Sequence, residues 1–335
     1  MSFRRVTVGN NIFGAPVTSS DNEEEEEIDA TPSPPHQMVL PYNPLPYNPL
    51  NNFCWDSIDS LTLQENMFLR ILVLCNTVVV DGVVDDTDPN SSKQYQAESP
   101  DEIALVEAAD SIFNWRLINK EASDIVIQIQ LGDEIVTERW EVLAINAFTS
   151  ERRRMSILVR SPPELGSACM LLVKGGDSSM FSVATPEYIF DSEYHREVES
   201  IKSHIDLFAR DGLRTLVFGY RNIEQSEVDS FLKMYHQASN CIGEMRAAEL
   251  AKLANLVEAN LTINSAIGIE DKLQDGVPET IVSLLAAGIK LWVLTGDKTE
   301  TAINIGYSSG VINPSEGELV IDDDASFQIA NEFMR

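Results

Sequence analysis

The sequence predicts an α+β module built on an antiparallel sheet, followed by part of a doubly wound α/β module. Three observations carry this. Residues 124–190 alternate or run apolar in short stretches, separated by turn signals such as G-D, T-S-E and P-P-E-L-G. Helical periodicity flanks that region on both sides. After residue 262 the order becomes strand, helix, strand, helix, which implies a parallel sheet.

Residues 1–15 open with an alternation (Phe3, Val6, Val8) that fits one strand. Residues 16–50 read as a linker. They hold the acidic run Glu23–Glu27, then Pro32, Pro34 and Pro35, then P-Y-N-P-L twice, at 41–45 and 46–50. Proline removes backbone donors and like charges repel, so this stretch cannot assemble a core; a docking site for a partner is the other reading. From Leu61 a helical pattern begins, with Leu63, Met67, Leu69, Leu72 and Val73 at helical spacings. The D-G and D-D-T-D-P cluster after Val80 is loop. Ser99-Pro100-Asp101-Glu102 opens a second helix, with Ser99 as N-cap, Pro100 at the first helical position and Glu102 placed to close a capping box.

The strands of the sheet follow: D-I-V-I-Q-I-Q-L, R-W-E-V-L-A-I-N-A-F, R-M-S-I-L-V-R and A-C-M-L-L-V-K. Residues 191–209 and 223–258 read as helical, with L-R-T-L-V-F-G-Y-R as a strand between them. In the last part Ser265–Ile269 is a short strand and Val277–Ala287 a helix, with Pro278 near its start and Gly288 after its end. Ile289–Leu294 reads as a buried strand, Thr295-Gly296-Asp297 as a tight turn, and Glu300–Ser308 as the next helix. The carboxyl end of such a strand is where parallel sheets bind ligands. One complete crossover cannot cover both faces of a sheet, so the second module reads as incomplete.

At 335 residues, two domains are the first expectation. Against 24 Lys and Arg stand 53 Asp and Glu, a formal charge of −29, which argues against nucleic acid as a partner. The four cysteines are dispersed, with no C-x-x-C and no Cys/His pair at ligand spacing, so no metal ligands are assigned. The first residues lack the apolar core of a secretory signal. The most apolar stretch, Met67–Val80, is too short to span a membrane and contains Arg70 and Asn76. G-x-S-x-G, H-E-x-x-H and the phosphate-binding G-x-x-x-x-G-K-[ST] are all missing, so no self-contained hydrolase signature is present.

Several residues have chemistry that suits a nucleotide. Thr295, Gly296 and Asp297 offer a hydroxyl, backbone amides and a carboxylate at a helix start; a plain capped turn has the same composition. In Lys174-Gly175-Gly176-Asp177 the paired glycines let a flat ligand approach and Lys174 supplies a cation; a hairpin with a solvated lysine is the alternative. Phe148 can stack on a base or fill a core. Arg214, charged among apolar residues, faces either a pocket or an ion partner. Glu102 is a site residue or merely a capping-box member. Arg152-Arg153-Arg154 is a phosphate-attracting rim or a solvated strand end. The four histidines read as surface or structural.

Six segments in this order resemble the phospholipid-transporting (type IV) P-type ATPases, the lipid flippases. They are E-S-P-D-E-I-A-L-V-E-A-A (98–109), N-A-F-T-S-E-R-R-R-M-S-I-L-V-R (146–160), L-V-K-G-G-D (172–177), D-G-L-R-T-L (211–216), I-E-D-K-L-Q-D-G-V-P-E-T-I (269–281) and I-K-L-W-V-L-T-G-D-K-T-E-T-A-I-N-I-G (289–306). The resemblance covers residues 53–312, the N-terminus weakly and the linker not at all. It implies an α+β nucleotide-binding domain, an antiparallel sheet flanked by helices, inserted into a haloacid-dehalogenase-like doubly wound domain of which only part is present. The implied divisions are an edge of the phosphorylation domain at 1–15, the linker at 16–50, the nucleotide-binding domain at 51–262 and a partial phosphorylation domain at 263–335.

The resemblance also implies the site. Phe148 stacks on adenine with Lys174 beside it, Arg214 pairs with phosphate, Glu102 shapes the pocket and Ser150 adds a contact. Thr295, Gly296 and Asp297 match the phosphorylation-domain loop that meets the phosphates. Gly176 stands where the family usually has alanine, and Arg153 where lysine is common. The implied parent is a membrane enzyme that hydrolyses ATP with Mg2+ through an aspartyl phosphate, moves phospholipid and works with an accessory membrane subunit. Its phosphorylated Asp-Lys-Thr-Gly-Thr and magnesium loop are not in this sequence. The chain is therefore expected to be a cytoplasmic middle segment, inactive by itself, with catalytic and metal residues outside it. The opening M-S-F-R-R-V-T-V looks like the family's stretch just after the phosphorylation loop. A stand-alone nucleotide-binding or regulatory fragment, a soluble phosphatase of the dehalogenase class and an interaction module remain as alternatives.

Overall fold

The computed structural model describes residues 1–14, 61–81, 94–186, 192–271, 273–295 and 299–313. The linker at 16–50 lies outside these. Two compact units are present: Met1–Phe208 with Leu213–Asp271, and Ala209–Gly212 with Lys272–Arg335.

In chain order the first unit begins with strands β1 (Ser2–Val8) and β2 (Asn11–Phe13), then helix α1 (Leu63–Leu74). The short strands β3 (Val79–Asp81) and β4 (Gln94–Gln96) precede helix α2 (Pro100–Ser111). Five strands follow: β5 (Trp115–Lys120), β6 (Asp124–Leu131), β7 (Glu134–Thr149), β8 (Arg154–Arg160) and β9 (Cys169–Gly175). After them come α3 (Asp177–Ser182), α4 (Ser192–Arg210), β10 (Arg214–Ile223), α5 (Gln225–Ser239), α6 (Glu244–Val257) and β11 (Thr262–Glu270). The second unit holds α7 (Val277–Ala286) and α8 (Thr299–Ser308).

Nine strands form one sheet in the order β2-β1-β11-β10-β9-β8-β7-β6-β5, with every neighbouring pair antiparallel. Both faces are covered. On one face α1 and α2 pack Phe68, Leu72 and Leu105 against Trp115, Trp140, Met155, Leu172 and Phe218. On the other, Met180, Val198, Ile205, Phe231 and Val257 meet Leu158, Leu171, Val173, Val217 and Ile263. Double coverage explains why β9 reads as an unbroken apolar run: all seven residues are buried, Met170 and Leu172 toward one layer, Cys169, Leu171 and Val173 toward the other.

Among the helix starts with described caps, that of α1 alone carries a side-chain cap. Thr62 and Glu65 close a capping box at α1: the Glu65 amide donates to Thr62 Oγ1 at 3.2 Å, and the Thr62 amide donates to Glu65 Oε2 at 2.9 Å. The box expected at α2 does not form. Ser99 makes no side-chain cap bond: the Glu102 amide donates to the Ser99 carbonyl at 3.1 Å, and the Glu102 carboxylate is bonded to Lys174 and Thr77. Inside the core, Arg70 lies between two rings, 5.6 Å from the Trp115 centroid and 5.5 Å from that of Trp140. It bonds Glu138 at 2.8 Å, and Glu138 also accepts from the Trp140 indole.

The region after residue 262 departs from expectation. The strand read at Ser265–Ile269 exists, as part of β11, but it lies between β1 and β10 and runs antiparallel to both. Ile289–Leu294 is neither strand nor buried; Trp292 and Leu294 are 84% and 92% exposed. A parallel strand buried on both faces needs flanking strands and covering helices. Among the described residues the second unit supplies two helices and no strand.

The paired glycines at the end of β9 differ in what they permit. A Cβ on Gly175 would sit 2.5 Å from Arg154 Cβ and 2.7 Å from the Arg153 carbonyl, whereas at Gly176 the nearest atom is 3.9 Å away. Close strand packing, not ligand approach, is what Gly175 serves. Gly175→Ala is therefore expected to destabilise the chain by about 1–3 kcal/mol, as overpacking does. Gly176→Ala should be close to neutral. Urea denaturation of the two variants checks this, and equal midpoints would contradict it.

Candidate functional site

The site is built where the first turn of α2 meets the end of β9. Lys174 is the last side chain of β9 on the α1/α2 face, one alternation beyond Leu172. Its ammonium donates to Glu102 Oε1 at 2.7 Å, and both residues are only 7% exposed. The other oxygen, Oε2, accepts twice from Thr77, from the amide at 2.8 Å and from the hydroxyl at 2.5 Å. Burial disfavours the Glu102 charge, but the Lys174 cation and the Thr77 bonds outweigh it and hold the carboxyl below its usual range.

Asp101, the neighbour of Glu102, holds the second cation. Arg214 Nη1, at the start of β10, donates to Asp101 Oδ2 at 3.1 Å, with the arginine side chain 44% exposed. Consecutive carboxylates in one helical turn thus each hold one site cation. The buried pair is geometrically fixed, while the exposed one is weakly held and exchangeable.

Phe148 reaches the same face through a bulge. Asn146 pairs with Ser156 and Thr149 with Arg154, so Ala147 and Phe148 both oppose Met155. Met155 in turn pairs with Lys174. Phe148 therefore stands two strands from Lys174, roughly 10 Å at the ordinary interstrand spacing. Its ring is 60% exposed, which the core alternative does not explain. Ser150 is exposed in the turn that follows β7. Thr295 belongs to the second unit and is exposed; Gly296 and Asp297 lie outside the described residues.

Neither reading of the arginine triplet fits two of its members. Arg152 and Arg154 are 5% and 6% exposed and converge on Glu258, which is fully buried, each at 2.6 Å. Ser156 donates to the same carboxylate at 2.7 Å, and Arg154 also bonds Asn255 at 2.7 Å and Ser179 at 3.0 Å. A buried carboxylate needs compensation, and these arginines supply it. Only Arg153, with φ of 51°, is exposed.

Asp101, Thr77 and Met155 escaped the sequence reading. The polar Asn76-Thr77 pair directly after the buried end of α1 is a signal that could have found Thr77. Cys75, just before it, is no nucleophile: burial pushes its thiol up to about 12. Among the described residues no group of three or more His, Cys, Asp or Glu is placed to hold a metal ion, and no helix is long and apolar enough to cross a membrane.

Residues 65–276 match the family described as P-type ATPase, cytoplasmic domain N. The chain is 43% identical to phospholipid-transporting ATPase 1 of Arabidopsis thaliana over 265 residues, which is 78% of this chain and 21% of that protein. It is 38% identical to phospholipid-transporting ATPase DRS2 of Saccharomyces cerevisiae over 259 residues, 77% of this chain and 18% of that one. The chain thus spans about a fifth of the length of these curated relatives.

Glu102→Gln leaves a buried Lys174 charge without its counter-ion and is expected to cost about 3–5 kcal/mol at neutral pH. Because folding lowers the Glu102 pKa, the pair's contribution is complete above the ordinary glutamate range and is lost as pH falls through the folded value. Denaturation of wild type and variant should show the gap shrinking as pH falls below the ordinary glutamate range. A gap that stays constant would show that ionisation of Glu102 is irrelevant to stability.

Proposed function

We propose, on the premise that this chain belongs to the P-type ATPases and carries their cytoplasmic domain N, that it is the ATP-binding portion of a phospholipid-transporting ATPase. The observation that carries the reading is the gathering of Phe148, Lys174 and Arg214 on one face at one end of the sheet. An exposed ring two strands from one cation, with a second cation at the start of the strand beyond it, suits a nucleotide: a π-surface for adenine and positive charge for its phosphates.

In this reading Phe148 stacks on the base, and Lys174, aimed by Glu102, lies beside it. Arg214 leaves Asp101 for phosphate, an exchange that an exposed pair permits at small cost. Ser150 adds a polar contact at the rim. Thr295, Gly296 and Asp297 keep the role that the resemblance gives them, the phosphorylation-domain loop assigned to the phosphates. Residues 51–262 are proposed as the nucleotide-binding domain, with 16–50 as a linker and 1–15 as an edge of the phosphorylation domain, although β1 pairs with β11 in the nine-stranded sheet. Residues 263–335 are proposed as part of that second domain, of the haloacid-dehalogenase-like doubly wound kind; the second unit, with α7 and α8, falls within them, whereas residues 263–270 run in β11.

The whole protein, of which this segment would be the cytoplasmic middle, hydrolyses ATP through an aspartyl phosphate and moves phospholipid across its membrane with an accessory membrane subunit. Similarity to phospholipid-transporting ATPases supports the transport part of this reading. Magnesium would neutralise developing phosphate charge in that reaction. In this reading its ligands lie outside this segment.

ATP titration of the 335-residue chain, followed by NMR, tests the assignment. Phe148→Ala is expected to weaken binding by about 1–3 kcal/mol while leaving the melting temperature unchanged, since the ring is largely exposed. Asp101→Asn should strengthen binding by up to roughly fivefold by freeing Arg214. Unaltered affinity in Phe148→Ala would remove base stacking from the reading.

A further inference from the structure

Lys120, the last residue of β5, has no role in the site as described so far. Its ammonium donates to Asn76 Oδ1 at 2.9 Å and also to the Asn76 backbone carbonyl. Asn76 is fully buried and closes the turn after α1: its side-chain Nδ2 donates to the Val73 carbonyl at 2.7 Å, and its Oδ1 accepts from the Val78 amide at 3.0 Å. The next residue, Thr77, places both of its donors on Glu102 Oε2, and Glu102 Oε1 holds Lys174. An unbroken path of bonds therefore runs from β5, through the turn after α1 and the first turn of α2, to the end of β9.

We propose that Lys120 is a positioning residue of the nucleotide site: by clamping the Cys75–Thr77 turn it fixes Thr77 against Glu102 and so aims Lys174. The proposal rests on the nucleotide reading for its ligand and deepens it by making affinity depend on a residue too remote in sequence to be suspected. A lysine suits this position because one ammonium reaches two acceptors of the same residue. Methionine would fill the space and hold neither.

The same placement makes the clamp sensitive to pH. Three titratable groups face Lys120: Cys75 from the end of α1, Glu102 from α2 and Lys174 from β9. Burial acts most strongly and pushes Lys120 down to about 8, with the Lys174 charge adding to the effect and Glu102 opposing it. Cys75, held near 12, and Glu102, held low, keep their ionisation as Lys120 loses its proton. A neutral amine holds two acceptors more weakly than an ammonium, so the clamp loosens as pH rises. Stability moves the other way. Folding lowers this pKa, so the unfolded chain binds more protons above about pH 8, and stability rises with pH across that window.

The test measures the affinity of the full 335-residue chain for ADP and for adenosine at about pH 7 and about pH 9.5 by NMR titration, in wild type, Lys120→Arg and Lys120→Met. Wild type is expected to lose affinity several-fold over this range. Lys120→Arg should keep its affinity at both pH values, and Lys120→Met should be weak and independent of pH. Adenosine should lose as much as ADP, because repositioning affects the base site whereas long-range charge affects only the phosphates. Relative to Lys120→Met, wild type should gain thermal stability over the same range, so the lost affinity cannot be unfolding. A pH profile shared by wild type and Lys120→Met overturns the proposal, as does a loss confined to ADP. If wild type binds neither ligand at any pH, the nucleotide reading itself fails, and the positioning role with it.

Discussion

A buried ammonium on a sheet face otherwise lined by Met155, Met170 and Leu172 constrains the whole α1/α2 layer. Lys174 can occupy that place only if a carboxylate is delivered to it, and Glu102 is delivered by the first turn of α2. The helix cannot slide along the sheet without stranding the charge. Two further observations follow from this. The N-terminus of α2 goes without the reciprocal half of its expected capping box, since its glutamate is committed to Lys174 and Thr77. The turn after α1 is tied to α2 through Thr77, so both helices share one register over the strands.

The opposite face solves a similar problem with the signs reversed. There a buried carboxylate, Glu258, is met by Arg152 and Arg154. Arg154 pairs across the sheet with Thr149 and with Gly175, one residue from Lys174 and one from Phe148. Ion clusters on both faces therefore fix the same end of the sheet. Phe148 and Arg214 project from this braced edge while staying exposed. A ligand that uses them need not order the backbone first, which reduces the entropy lost on binding.

Much of this was legible in the residues. Alternating or unbroken apolar runs mark β6 to β9, and residue type singles out Glu102, Lys174, Phe148 and Arg214 while leaving a structural alternative at each. Exposure removes the core alternative for Phe148, and the Lys174 contact removes the capping-box alternative for Glu102. Less legible were features set by partners distant in sequence. Nothing local to Arg152 or Arg154 announces Glu258, more than 100 residues away. β5 went unread because its burial pattern alternates for only three residues before a bulge. The apolar run at 289–294 looked like a strand because local pattern encodes the capacity to pair and not the presence of neighbours.

The first and last strands of the nine-stranded unit lie side by side. Ser2 is paired with Glu270 and Val8 with Ser265, so the backbone enters and leaves along two adjacent rails, about 5 Å apart. A fold with its two ends this close behaves as a cassette. It can be spliced into a loop of a host protein without altering the distance the host must bridge, and the host in turn imposes no stretching on the cassette. Two hydrogen-bonded rails also resist twisting in a way that one covalent strand cannot.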